Sequence, residues 1–234
     1  MELLAKLSST KTYCENIKES SYVQRISDSV ETTEKVYQDI NNLFIDKFDP
    51  TCTIIEDKDK DVYYIQRLLE IATDIDEKHD TNYLKYKYSP KIFKTSLIQS
   101  GLQIPNTLSS VIYLGDFYKV TPVIYIDSIQ TKVVISQKTR NNIHILYKDG
   151  TFVEIDESPE FKEGLYDDLK HSLVLNVKKL DVYELDLQPV GKYKVTELVE
   201  LANKLNLPLE ENGKKKVKKQ LYDELYLHYL NKSN

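Results

Sequence analysis

A chain of 234 residues, 41% hydrophobic and 29% charged, has apolar material enough for one sizeable domain with a small companion, which excludes wholesale disorder. Its formal net charge of -5 excludes a whole-surface grip on nucleic acid or an anionic membrane, so any such contact has to be local. Cys14 and Cys52 lie too far apart in sequence for a zinc ribbon or a disulfide scaffold, and no apolar run approaches the roughly 20 residues that span a bilayer. With neither a secretory leader nor a span in the pattern, the expectation is an intracellular, cytoplasmic protein.

Residues 1–88 read as a helical region. Val23, Ile26, Val30, Val36 or Tyr37, Ile40 and Phe44 recur at three-to-four spacing, and Asp49-Pro50 ends the run. A second stripe follows with Val62, Ile65, Leu68, Leu69, Ala72 and Ile75. Its acidic entry, Glu56, Asp57, Asp59 and Asp61, suits the positive end of a helix dipole. Beyond it, Tyr83, Tyr86 and Tyr88 alternate with Lys85 and Lys87. Rings and ammonium groups in alternation could stack on bases and meet phosphates, but tyrosine also buries area with few rotors, and a protein interface is the preferred reading of these three.

Within residues 89–190, expected as a mostly antiparallel β domain, the period changes to two from about residue 108, in SSVIYLGDFYKV, PVIYIDSI, KVVIS, IHILYKDGTFVEID and HSLVLNVKKLDVYELDL. Asp149-Gly150 is a hairpin signal, because a primed turn needs positive φ. Strands with little helix between them predict a mostly antiparallel sheet, and the fold class expected for the whole chain is α+β.

Residues 191–234 invert the charge, with nine Lys against six Asp plus Glu from Lys192 onward. Val195, Leu198, Val199, Ala202 and Leu205 share one helical face, and Pro208 stops that helix. PLEENG then leads to a second helix carrying Val217, Leu221 and Leu225. Helix, extended connector, Gly-Lys-Lys, helix: over Tyr193 to Leu227 this resembles the SAP, Rho-N and HeH/LEM-like group of helix-extended-loop-helix modules. The resemblance implies that the opening of the second helix faces nucleic acid, through Gly213, Lys214, Lys215 and Lys216, with Lys218 and Lys219 continuing the run. Backbone N–H groups at a helix start and adjacent ammonium groups both attract phosphate. The bland alternative is a solvated face or a protein-docking piece.

Catalytic patterns are sparse. His79, His144, His171 and His228 form no metal-ligand spacing, and no phosphate-cradling glycine loop or nucleophile elbow occurs. Asp149 with Glu160 and Lys162 imitates a metal-dependent nuclease, but the Glu-x-Lys falls in a turn. The leading expectation is therefore a non-catalytic structural or assembly protein without cofactor, docking other subunits, or DNA or RNA, through its C-terminal module and not a membrane. A wealth of residues with AT-rich codons, and a small module on a motif-free body, resemble proteins of phages and large DNA viruses, which points to a virus-particle component. A nucleic-acid-binding accessory factor in replication or transcription is the second reading, and the nuclease the third.

Overall fold

The structure, a computed structural model, describes residues 35–77, 82–211 and 213–232, and the described residues from Val36 onward belong to one compact unit. The architecture is α+β. In chain order its elements are β1 (Val36–Tyr37), α1 (Ile40–Phe48), α2 (Lys60–Glu77), α3 (Asn82–Lys85), α4 (Thr95–Gln103), α5 (Leu108–Phe117), β2 (Val120–Ile126), β3 (Thr131–Val134), β4 (Asn141–Lys148), β5 (Thr151–Glu154) and β6 (Lys162–Glu163). Then come α6 (Val195–Lys204), β7 (Glu210–Glu211), β8 (Lys214–Lys215) and α7 (Lys218–Lys232).

The main sheet runs β1-β5-β4-β2-β3-β6. It is mixed: among the described residues three of its five pairings are antiparallel, but its longest, β2 with β4 from Val120↔Asn141 to Ile126↔Tyr147, is parallel, as is β3 with β6. All seven residues of β2 are buried, since α5 packs against it and the single-turn helices over Tyr166–His171 reach it as well. A strand covered on both faces is what a parallel pairing at the centre of a sheet requires. The hairpin stands as expected: Asp149 and Gly150 both adopt positive φ, 50° and 81°, and return β4 antiparallel into β5.

Two sequence expectations are corrected. The first apolar run of the second region is a helix, α5, not a strand. Thr107 caps it by accepting a hydrogen bond from the Ser110 N–H, and every residue from Leu108 to Asp116 is buried. A helix enclosed all round has no polar face, so its periodicity vanishes and the run reads as continuous apolar sequence. HSLVLNVKKLDVYELDL is likewise not a strand. It is irregular, touching the rest through isolated bridges such as Tyr88↔Tyr183 and Thr107↔Val174.

In the helical region, β1 occupies Val36–Tyr37, and α1 starts at Asp39, whose carboxylate accepts from the Asn41 N–H. Val23, Ile26, Val30 and His79 lie outside the described residues. The α2 stripe splits in two. Leu68, Ala72 and Ile75 are buried against the core, while Val62, Ile65 and Leu69 are 57%, 69% and 54% exposed. Among the described residues no helix is long and apolar enough to cross a membrane.

Candidate docking surfaces and a buried ion network

The C-terminal module has its own core. Leu198 and Ala202 of α6 meet Leu221 and Leu225 of α7, with Leu187, Tyr193, Leu205 and Leu209 packed around them. Its connector is not simply extended but closes into a two-residue antiparallel hairpin, in which Glu210 stands opposite Lys215 and Glu211 opposite Lys214. Opposite charges in register partly neutralise one another. Gly213, at φ 72°, makes the turn.

The module is seated on the body through α7. Leu221 and Leu225 face the module core, whereas Tyr226 and Leu230 join the main core. Asn231 accepts a hydrogen bond from the Thr139 N–H at 2.7 Å, and Tyr226 donates to Asp181. Continuity of one helix through both cores makes the module part of the same compact unit.

The predicted lysines divide. Lys214, Lys215 and Lys219 are exposed and Lys218 is half-buried. Lys216 is corrected: it is 8% exposed, and its ammonium group donates to the Pro208 carbonyl at 2.9 Å and pairs with Glu224, so it holds the module together and presents no charge to a ligand. Lys218 and Lys219 occupy the first turn of α7, which contains no acidic residue. Cations there work against the helix dipole, at about 0.3–1 kcal/mol each when exposed. Val217, 62% exposed, stands immediately before them.

The tyrosine expectation is also corrected. Tyr86 and Tyr88 are 5% and 3% exposed, and Tyr83 gives its hydroxyl proton to the Phe93 carbonyl at 2.8 Å. Tyr88 packs on Tyr83, Tyr86, Phe93, Tyr113 and Tyr183 in an aromatic cluster. Tyr86 and Tyr88, enclosed in this way, have no surface to offer a partner, whereas Tyr83 is half-buried. Their alternation arises because the segment crosses the core, not because it lines an edge.

At the centre of that cluster lies a group the sequence reading did not single out. Asp116, 1% exposed at the end of α5, accepts from the Tyr88 hydroxyl at 2.6 Å, the Tyr183 hydroxyl at 2.9 Å, Lys138 Nζ at 2.9 Å and an Arg140 guanidinium nitrogen at 2.6 Å. Lys138 Nζ also stands 4.1 Å from the centroid of the Tyr183 ring. Burial pulls the Lys138 ammonium below its ordinary value, against the pull of Asp116. Burial, then the charge of Asp116, holds the Tyr88 and Tyr183 hydroxyls well above theirs. Two cations thus surround one anion where water is excluded. The arrangement can orient and lock, because it joins the segment after α3, the end of α5, the loop before β4 and the irregular segment around Tyr183. The Lys138 side chain has no exposed surface at all. A lone acid within SVIYLGDFY, and one of only three arginines in the chain, were the signals that could have marked it.

A groove opens on the other side of the helical layer. Two adjoining cavities near 510 and 660 Å³ share Asp39, Asn42, Asp61 and Pro105. The first is floored by Ile65, Leu68, Leu69 and Leu102. The second is edged by Asp57 and Lys60 as well. Lys60 is engaged, at 2.9 Å from Asp57 and 3.4 Å from Asp46, so the rim is acidic. Burial raises the Asp39 carboxyl above the usual range, opposed by the backbone hydrogen bonds it accepts.

The histidine and nuclease patterns resolve locally. His144 Nδ1 lies 2.9 Å from the Tyr125 hydroxyl, which also meets Ser158 at 2.6 Å. Lys162 sits on exposed β6 and Asp149 in the hairpin turn. Among the described residues no group of three or more His, Cys, Asp or Glu could hold a metal ion. Set against family models, curated proteins and solved structures, the chain matches none.

Proposed function

We propose that the protein is a non-catalytic structural or assembly component that holds protein neighbours in a particle or other multi-subunit complex. The observation that carries the proposal is the outer side of α2. Val62, Ile65 and Leu69 are more than half exposed, and with Gln66 and Thr73 they make an uncharged strip about 16 Å long at the helical rise. Contiguous apolar surface framed by charge marks a contact site, whereas single exposed apolar residues do not. The groove beside it supplies depth.

The test is the size of the complex recovered from the native source. The proposal expects an assembly much larger than the 27.3 kDa chain, from which the double change Ile65→Asp and Leu69→Asp releases the protein with its circular dichroism intact. Recovery of the unaltered chain alone would sink it.

A second reading, nucleic-acid contact by the module, is favoured by one observation, the crowding of Lys218 and Lys219 at the positive end of α7 beside Lys214 and Lys215. It expects the full chain to shift a DNA or RNA probe at low salt, to lose the shift as salt rises, and to lose it entirely with Lys214→Glu and Lys215→Glu.

A further inference from the structure

We infer that the chain docks head to tail on a second copy of itself, the lysine ridge that opens α7 entering the acid-rimmed groove beside α2. The inference rests on the assembly reading and names one of its partners.

The two surfaces are complementary feature by feature. The ridge carries an exposed apolar knob, Val217, between Lys214 and Lys215 on one side and Lys218 and Lys219 on the other. The groove has an apolar floor of Ile65, Leu68, Leu69 and Leu102 flanked by the carboxylates of Asp39 and Asp61, while Asp57, farther along the rim, is paired with Lys60. A knob with cationic flanks fits a hollow with anionic flanks. Glu210 and Glu211 stand opposite Lys215 and Lys214 across the hairpin, so the cations with most charge to spare are Lys218 and Lys219, and among the described residues neither makes an ion pair. Their helix gains nothing from them locally, because the dipole opposes them. An anionic partner removes that conflict.

A groove-to-groove contact is disfavoured by the same charges. Asp39 and Asp61 line the groove, so two grooves laid together would bring like charge to like charge. The partner of the groove has to be basic with an apolar centre, and this chain possesses such a surface. Because the two halves of the contact are different patches on one molecule, the contact is heterologous. After pairing, one copy keeps a vacant groove and the other a vacant ridge, so growth proceeds to a ring or a filament rather than stopping at two.

The experiment is sedimentation of the full chain at about 100 µM and below, a range in which contacts of micromolar strength are populated, using two variants built on exposed or half-exposed positions. One is Ile65→Asp, which spoils the groove. The other is Lys218→Glu with Lys219→Glu, which spoils the ridge. The unaltered chain is expected to form concentration-dependent oligomers larger than a dimer, weakened at least tenfold by raised salt. Each variant alone is expected to be monomeric. Mixed in equal amounts, the two retain one sound ridge and one sound groove between them, and are expected to give a dimer and nothing larger. That complementation also shows that both variants are folded. An unaltered chain that remains monomeric overturns the inference, as does a variant that associates like the unaltered chain, or a mixture that yields no dimer. A monomer that instead binds an RNA or DNA probe through Lys218 and Lys219 overturns it in favour of nucleic acid. A monomer that assembles only with a different protein overturns it while leaving the assembly reading intact.

Discussion

Replacing Asp116 with Asn tests the charge arithmetic of the buried network. The change keeps the shape of the side chain and one acceptor oxygen but removes the carboxylate bonded to both Lys138 and Arg140. Leaving a buried cation without its counter-ion is destabilising by about 3–5 kcal/mol, a large part of the about 5–15 kcal/mol that holds an ordinary domain together. Replacing Lys138 with Met is the reciprocal change, and its cost is expected to be far smaller, about 1 kcal/mol or less. Asp116 would still accept from Arg140, Tyr88 and Tyr183, and an ammonium whose burial already opposes its charge would be gone. Urea unfolding followed by circular dichroism reads both as shifts of midpoint at constant slope. The pH dependence adds a second reading. Without the carboxylate, Lys138 sheds its proton more readily when folded than when unfolded, so the unfolded state binds more protons and stability rises with pH. The deficit of Asp116→Asn should therefore narrow as the pH rises towards the ordinary lysine range, about pH 10. If Lys138→Met costs as much as Asp116→Asn, or if the deficit stays flat over that rise, the picture of one anion serving two cations is wrong.

The tyrosines give an alkaline signature. Burial raises Tyr86 to about 12 and holds Tyr88 and Tyr183 well above the ordinary value, so the folded chain keeps phenol protons that the unfolded chain releases near pH 10. Their contribution is intact below that pH and is lost as pH rises further, so tyrosinate absorbance should appear late and together with loss of secondary structure. A smooth, non-cooperative titration with the fold retained would contradict it. Gly101→Ala should destabilise by about 1–3 kcal/mol in the same urea assay, because a methyl group there would lie 2.0 Å from the Ser109 hydroxyl oxygen, where α4 crosses α5. Lys216→Met should lower stability by about 1–3 kcal/mol while leaving any affinity for a polyanion and its salt slope unchanged. Lys218→Glu with Lys219→Glu should do the reverse, and equal effects of the two on a binding isotherm would show that the buried lysine is not buried in solution.

What the sequence made legible follows from which forces are local. The hairpin at Asp149-Gly150 and the two-helix module could be read because positive φ and helical spacing act over a few residues. The α+β class followed from the change of period near the middle of the chain. α5 could not be read, because a helix buried on every side loses the polar face that makes periodicity visible. The parallel β2–β4 pairing was hidden for a related reason, since it depends on what covers the sheet. At the candidate surfaces, the lysine run was conspicuous but Lys216 was not separable from its neighbours until its ammonium was seen turned onto Pro208 and Glu224. Tyr86 and Tyr88 looked like surface because their alternation with lysines was visible and their convergence on Asp116, from Tyr88 to Tyr183, was not.

The sharing of α7 between two cores bears on how strain would travel through the molecule. With Leu221 and Leu225 gripping one hydrophobic cluster and Leu230 another, a pull applied at Val217 is taken up along the helix axis and delivered near Thr139, where Asn231 clasps the backbone. No slack tether absorbs it. The helix behaves as a strut, and whatever is fastened to its outer end tugs directly on the loop that carries Lys138 and Arg140.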